Sequence, residues 1–130
     1  YDCYNSSPKA LMAAVDTLAA MPARRRIVVA GEMLELGATG EQLHRECGRY
    51  MAGSKLDFLL GVRGLAKPMV EAAREAGMKA EFVATPEEAG EWLSRETREG
   101  DVVLLKASRG VKLEKALETW RRKIGAQTTD

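Results

Sequence analysis

The chain has 130 residues, of which 45% are hydrophobic and 30% charged, as in ordinary globular domains. A formal net charge of +1 and an aromatic content of 5% argue against a nucleic-acid-binding protein, which needs a basic surface and stacking side chains. The longest apolar runs, Ile27–Ala30 and Val102–Leu105, are too short to cross a bilayer. One histidine and two distant cysteines, Cys3 and Cys47, cannot assemble a zinc site, so we expect no metal and two reduced, structural thiols.

Strand and helix patterns alternate in the first half of the chain. The sequence predicts the end of a strand at Tyr1–Tyr4, a helix at Pro8–Ala20 and an apolar strand at Arg26–Ala30. A loop follows at Gly31–Ala38, and a second helix begins after Thr39. Ser7 is expected to cap the first helix, and Thr39 with Gln42 to form a capping box on the second. On the second helix, Cys47 and Tyr50 are expected to share the inward face.

The second half continues the alternation. It predicts strands at Leu56–Val62, Lys79–Ala84 and Asp101–Lys106. It predicts helices at Gly64–Ala76, after the capping residue Thr85 and at Val111–Ile124. Ala76 and Ile124 are expected to face inward, and Gly77 to end its helix. Short connections between alternating strands and helices favour right-handed βαβ units. We therefore predict a three-layer, Rossmann-like α/β domain, with a mostly parallel sheet and helices on both faces.

Three loops with unusual residues follow predicted strands, namely Tyr4–Pro8, Gly31–Gly37 and Lys106–Gly110. Ligands of open α/β sheets bind beyond the carboxyl ends of the strands, and the predicted fold brings all three loops to that edge. Arg24–Arg26 instead precedes a strand, so we interpret it as a solvated run at the opposite edge.

The last of these loops favours an anion. Lys106, Ser108 and Arg109 place two cations and a hydroxyl where a helix is expected to begin, and backbone N–H groups at a helix start also attract negative charge. The alternative is a solvated basic turn in which Ser108 only caps the helix.

The middle loop combines acids with apolar side chains. Glu32 can meet an amine while Met33 and Leu36 help to clamp a small ligand. The alternative is a loop that Leu34 and Leu36 fold onto the core.

The first loop and a lone histidine have similar double interpretations. Asp2 can accept hydrogen bonds from ribose hydroxyls, and Tyr4 and Asn5 can contact a purine. Alternatively, these residues end a strand and cap the helix at Pro8. His44 is interpreted either as an ordinary helical histidine or as a residue that supports the middle loop without touching the ligand.

Four motifs together resemble one family. Asp2–Pro8 is similar to D-x-Y-N-A-[NS]-P, and Ala30–Gly37 contains a match to G-[DE]-M-x-E-L-G. His44–Gly48 is similar to H-x-x-[VCI]-G, and Leu105–Gly110 to V-K-G-S-R-G, with Ala107 in place of the usual glycine. In order and spacing, these motifs resemble the C-terminal domain of the Mur ligases, specifically of those that add D-alanyl-D-alanine.

The resemblance implies a cytoplasmic, monomeric cell-wall enzyme of three domains, of which residues 1–130 are the last. It implies that ATP and Mg²⁺ are bound mainly by the central domain, since this chain lacks a GxxxxGK[ST] phosphate loop. ATP would activate a carboxylate of UDP-N-acetylmuramoyl-tripeptide as an acyl phosphate, which the amine of D-alanyl-D-alanine attacks. The C-terminal domain would close on its own central domain to complete the site.

The resemblance also implies roles for the loop residues. Asp2, Tyr4 and Asn5 would bind the nucleotide. The remaining positions would face D-alanyl-D-alanine or the reaction centre, and they are Glu32, Met33, Leu36, Lys106, Ser108 and Arg109. No residue is assigned a catalytic role, and the isolated domain is expected to be inactive.

Two alternatives stay open. A sister Mur or folylpolyglutamate-type ligase would add another amino acid, although the D-N-P-R-like loop of the diaminopimelate-adding enzymes is absent from Gly31–Gly37. A stand-alone, response-regulator-like module would need an acidic cluster and a phosphorylatable aspartate at the end of a strand. Asp57 lies at the start of its predicted strand, which is the wrong end.

Overall fold

A computed structural model describes residues 7–128, without the side chains of Arg109 and of residues 126–128. The strands are β1 (Arg25–Gly31), β2 (Phe58–Val62), β3 (Ala80–Val83) and β4 (Asp101–Lys106). The α-helices are α1 (Pro8–Ala19), α2 (Gly40–Ala52), α3 (Ala66–Glu75), α4 (Pro86–Glu96) and α5 (Glu114–Thr128), with two short 3-10 helices at Gly37–Thr39 and Arg109–Val111. The strand predicted at Tyr1–Tyr4 lies outside the described residues.

The four strands form one parallel sheet in the order β3-β2-β1-β4. In the centre, Val28 is paired with Leu59 of β2 on one side and with Leu104 of β4 on the other. Because all strands run the same way, their ends define two edges. We call the edge beyond Gly31, Val62 and Lys106 the carboxyl edge, and the opposite one the amino edge.

Alternate residues of β1 supply the two halves of the core. Val28 and Ala30 belong to a cluster with residues of α1, α2 and α3, whereas Ile27 and Val29 belong to a cluster with residues of α4 and α5. All four side chains are fully buried, and burying a Val or Ile side chain contributes about 1.5–3 kcal/mol. The two clusters confirm the predicted three-layer α/β architecture.

Helices α2 and α3 approach each other at Gly48. A Cβ added there would lie 2.1 Å from the carbonyl oxygen of Met69, so only glycine permits this approach. The neighbouring Cys47 is fully buried and free, and burial raises the pKa of its thiol to about 11. The structure thus confirms the structural interpretation of Cys47, and Cys3 lies outside the described residues.

Helix caps follow the sequence at two of three predicted sites. The Ser7 hydroxyl accepts from the Ala10 N–H at 3.1 Å, and Thr85 forms a reciprocal capping box with Glu88. The capping box predicted for Thr39 and Gln42 is wrong. Thr39 ends a 3-10 turn with near-helical backbone angles, and its hydroxyl donates back to the Leu36 carbonyl instead.

Three residues predicted to face inward are exposed. Tyr50 lies over the outer side of α1 and α2, where its hydroxyl donates to Asp16. Ala76 follows the last residue of α3, at a chain reversal that the left-handed Gly77 (φ 96°) makes possible. Ile124 is exposed because the buried positions of α5, within its described part, end at Thr119.

Candidate functional site

The loops after β1 and β4 are joined directly at the carboxyl edge. The Leu34 N–H donates to the Ser108 hydroxyl at 2.9 Å. A Cβ added at Gly31 would lie 2.5 Å from the Cβ of Ala107, so glycine allows the two chains to touch. Because the fully buried Ala107 side chain fills this space, its methyl group points into the protein rather than toward a ligand. The two loops therefore lie together, as the sequence predicts.

The loop after β1 is anchored to the core by its apolar residues. The Met33 side chain is 1% exposed and lies in the cluster under α1–α3. Leu36 packs on the same cluster, whereas Leu34 packs on the opposite one. The apolar residues thus hold the loop down, which is the alternative considered for this loop. In this conformation Met33 reaches a ligand only through its backbone.

His44 ties this loop to α2. Its Nε2 accepts from the Met33 N–H at 2.9 Å, and its Nδ1 lies 2.7 Å from the Gly40 carbonyl oxygen. Since a carbonyl can only accept, Nδ1 carries the proton, and a doubly protonated ring would direct Nε2–H at the Met33 N–H. The ring is fully buried, and this burial is the main reason why its pKa is lowered. His44 therefore positions the loop as a neutral imidazole.

Glu32 joins the loop after β1 to the loop after β2. Its Oε2 accepts from the Leu65 N–H at 2.9 Å, and its side chain is 16% exposed. Gly64 has a φ of 52°, and a Cβ added there would lie 2.1 Å from Glu32 Oε2. The carboxylate thus occupies space that only glycine leaves open. Most of Glu32 is engaged within the protein, and an amine would reach only its exposed part.

The loop after β4 differs from the predicted helix start. Lys106 ends β4 opposite Ala30 and is 6% exposed, so it is not part of a solvated turn. Arg109 begins a 3-10 helix of three residues, and α5 starts only at Glu114. The left-handed Lys112 (φ 56°) separates the two helices, which is why no α-helix begins next to Ser108.

The loop after β2 also belongs to this edge, and the sequence interpretation did not single it out. It contains Arg63, Gly64 and Leu65, and the Arg63 guanidinium lies between the two loops described above. The detectable signal was a basic residue followed by glycine directly after an apolar strand, the same pattern of position that marked the other two loops.

The remaining predicted site residues, Asp2, Tyr4 and Asn5, lie outside the described residues. Within residues 7–128, no three His, Cys, Asp or Glu side chains lie close enough together to hold a metal ion. In the same part of the chain, no helix combines the length and the apolar character that a membrane span requires.

Known proteins resemble this chain over nearly all of its length. A UDP-N-acetylmuramoyl-tripeptide–D-alanyl-D-alanine ligase from Bacillus subtilis is 31% identical over 90% of the chain, and one from Treponema pallidum is 34% identical over 94%. The chain covers 26% and 27% of these relatives, so it spans about a quarter of their length.

Solved structures agree with these relatives. The MurF ligase of Thermotoga maritima in complex with ADP matches 98% of this chain and 28% of its own, with a TM-score of 0.75 and 30% identity. A MurF structure from Acinetobacter baumannii matches 93% of this chain and 27% of its own, with a TM-score of 0.83 and 27% identity. The family described as "Mur ligase, glutamate ligase domain" matches residues 1–109. The chain therefore belongs to the Mur ligase C-terminal domain family.

Proposed function

We propose that this chain is the C-terminal domain of an ATP-dependent ligase that joins D-alanyl-D-alanine to UDP-N-acetylmuramoyl-tripeptide in peptidoglycan synthesis. The observation that carries the proposal is the 31–34% identity to ligases of that name over at least 90% of the chain. The parent enzyme would be a cytoplasmic monomer of three domains. Its central domain would bind ATP and Mg²⁺, because the sequence of this chain contains no GxxxxGK[ST] phosphate loop.

The proposed reaction forms one amide bond. ATP transfers its terminal phosphoryl group to the tripeptide carboxylate, which gives ADP and an acyl phosphate. The amine of D-alanyl-D-alanine then attacks the acyl carbon, and inorganic phosphate leaves as the amide forms. ADP in the Thermotoga relative supports the use of ATP. Catalysis of this kind depends on orienting the amine and on stabilising negative charge.

The carboxyl edge would present the amine substrate. Leu36 and the backbone around Met33 would form one wall, with the exposed part of Glu32 near the substrate amine. Lys106, Ser108 and Arg109 would form the other wall and favour the carboxylate of the dipeptide. The remaining contacts would come from Asp2, Tyr4 and Asn5, on the nucleotide side. His44 would hold the first wall in place without touching the ligand.

The test is phosphate release by the full-length parent protein with ATP, Mg²⁺ and UDP-N-acetylmuramoyl-tripeptide. D-alanyl-D-alanine is compared with D-glutamate, L-lysine and diaminopimelate as the amine. Release with D-alanyl-D-alanine alone is the expected result. Release with another amine would instead identify a sister ligase, and the family's description as a glutamate ligase domain is the reason for testing D-glutamate. The 130-residue chain alone should release no phosphate.

Arg109→Ala tests the proposed carboxylate wall. We expect the KM for D-alanyl-D-alanine to rise about tenfold or more, because a charge-assisted hydrogen bond to the substrate is lost. Steady-state kinetics of the full-length enzyme measures this, with Arg98→Ala at the amino edge as the control for the loss of an arginine. An unchanged KM and kcat in Arg109→Ala would remove Arg109 from the site.

A further inference from the structure

Arg63 lies at the centre of the carboxyl edge. It directly follows β2, and its N–H donates to the Val83 carbonyl at 2.9 Å, which continues the sheet ladder by one residue. Since the strand order places β1 between β2 and β4, a side chain from this position that reaches the β4 loop must cross the end of β1. Arg63 does so, because its Nη1 donates to the Gly110 carbonyl at 3.1 Å.

The guanidinium is held in place but not neutralised. Arg63 Nε lies 3.8 Å from Glu32 Oε1, which is an ion pair but too long for a hydrogen bond. The other oxygen of that carboxylate is bound to the Leu65 N–H. The Gly110 bond uses one of the five N–H donors of an arginine, and the side chain is 48% exposed. Donors of Arg63 therefore face solvent between the two loops.

The backbone at Arg63 is unfavourable for a residue with a side chain. Its φ of 73° lies in the left-handed region, where the Cβ of a non-glycine residue comes too close to the following carbonyl oxygen. Other turns of this chain meet the same requirement with glycine, as at Gly77 and Gly100. Glycine would therefore fit this position without cost, which makes it the natural substitution for testing the side chain.

A fixed, partly exposed guanidinium is suited to an oxyanion, because its planar donors match the oxygens of a carboxylate or a phosphoryl group. We propose that Arg63 binds an oxyanion of the reacting ligands at the carboxyl edge, together with the loop that contains Lys106 and Ser108. The inference rests on the proposed function for the identity of the ligand. That anion is either the carboxylate of D-alanyl-D-alanine or a phosphoryl group of the nucleotide.

The main test variant is Arg63→Gly in the full-length protein, because glycine suits a φ of 73° and the substitution removes the cation without straining the turn. If the anion is the dipeptide carboxylate, the KM for D-alanyl-D-alanine rises about tenfold to a hundredfold and the KM for ATP is unchanged. If it is a phosphoryl group, the KM for ATP rises or kcat falls by a similar factor. Arg63→Lys should recover part of either loss, because it restores the charge but not the planar donors.

Lys112→Gly is the matched control. Lys112 is also an exposed cation in a left-handed turn of the same edge, and no hydrogen bond or ion pair joins its side chain to the described residues. Its kinetics should match those of the wild type. Kinetic constants of Arg63→Gly within about twofold of the wild type, or an equal loss in Lys112→Gly, would refute the role of Arg63.

Calorimetric titration separates this inference from the proposed function. ATP and D-alanyl-D-alanine are each titrated into the wild-type full-length protein and into Arg63→Gly. A wild-type protein without ligase activity, but with a ligand that binds more weakly to Arg63→Gly, would refute the function and retain the anion site. Equal affinities of both proteins for both ligands would refute the anion site, whatever the activity.

Discussion

The two edges of the sheet use charge in opposite ways. At the amino edge, the side chain of Asp101 is almost fully buried, and its carboxylate oxygens pair with the guanidinium groups of Arg24 at 2.9 Å and Arg25 at 2.8 Å. At the carboxyl edge, backbone N–H groups are bound by single side chains, as in the pairs His44–Met33 and Ser108–Leu34. The guanidinium of Arg63 is only loosely paired there. At the amino edge, Asp101 thus pairs with Arg24 and Arg25, whereas at the carboxyl edge N–H donors of Arg63 remain available to a ligand.

This difference corrects the interpretation of Arg24–Arg26. The run is one of two stretches of three consecutive cations in the sequence, the other being Arg121–Lys123, and it lies at the amino edge as predicted. It is more than a solvated run, because Arg24 and Arg25 fasten β1 to the start of β4 through Asp101. The hydrogen bond from Arg25 is the largest reason why the pKa of Asp101 is lowered. The consecutive arginines Arg24–Arg26 therefore have a structural role, whereas the candidate site contains separate charged residues such as Arg63.

The largest expected effect comes from removing the histidine of the carboxyl edge. His44→Ala leaves the buried Met33 N–H without its acceptor and opens a cavity, so it should cost about 3 kcal/mol of stability. Urea unfolding of the 130-residue chain measures this cost. If His44 also positions the loop, ligase activity of the full-length variant should fall further than in a variant that is equally destabilised at the amino edge.

His44 also predicts a dependence on pH. Because folding lowers its pKa, the unfolded chain binds the proton more readily. The stabilisation is therefore complete above pH about 6.5, the ordinary value for histidine, and is lost as the pH falls through the lower pKa of the folded state. The wild type should lose stability along this slope, and His44→Ala should lack it. Equal slopes in both proteins would contradict a neutral, buried His44.

A smaller effect is expected at the amino edge. Asp101→Asn removes the charge that Arg24 and Arg25 share and should cost about 2 kcal/mol, less than for a fully buried pair because both arginines are partly exposed. Glu71→Gln, which removes the more exposed pair with Arg45, should cost less than about 0.5 kcal/mol. Chemical denaturation compares the two variants, and equal costs would contradict the amino-edge clamp.

The same clamp has a signature at acid pH. Hydrogen bonding to Arg25 lowers the pKa of Asp101 in the folded state. Its contribution is thus present above pH about 3.9, the ordinary value for aspartate, and is lost as the pH falls through the lower folded-state pKa. Asp101→Asn should remove this component, and kcat/KM of the full-length variant at neutral pH should remain unchanged.

The smallest expected effects come from two glycine substitutions, one in a left-handed turn and one in a helix. Gly100→Ala places a side chain at a φ of 93°, with its Cβ 3.1 Å from the Cβ of Arg24, and should cost about 1 kcal/mol. A Cβ added at Gly125 in α5 meets no atom of the described residues within 4 Å outside its own helix, so Gly125→Ala should stabilise the chain by about 0.5–1 kcal/mol. Thermal unfolding resolves the opposite signs. A harmless Gly100→Ala would weaken the claim that left-handed turns of this chain carry a cost.

The sequence predicts the layers better than the details of the site. Continuous apolar runs such as Ile27–Ala30 indicate strands that are covered on both faces, and strand–helix alternation then leaves little choice of topology. Glu32 binds the Leu65 N–H of another loop and His44 binds the Met33 N–H of the loop after β1, so no local pattern specifies these partners. The place of Arg63 at the carboxyl edge was predictable from its position directly after β2, but its contacts with Gly110 and Glu32 depend on the order of the strands.

Because Cys47 is buried, the rate at which its thiol is alkylated reports how often the domain opens. A thiol with a pKa of about 11 is almost entirely uncharged at neutral pH, and the uncharged form reacts poorly with alkylating reagents. Reagents also cannot reach it while α2 and α3 remain in contact at Gly48. Its rate of alkylation therefore counts the moments at which these helices separate. A ligand that keeps these helices in contact would lower the alkylation rate of Cys47, and its binding could be followed without an added label.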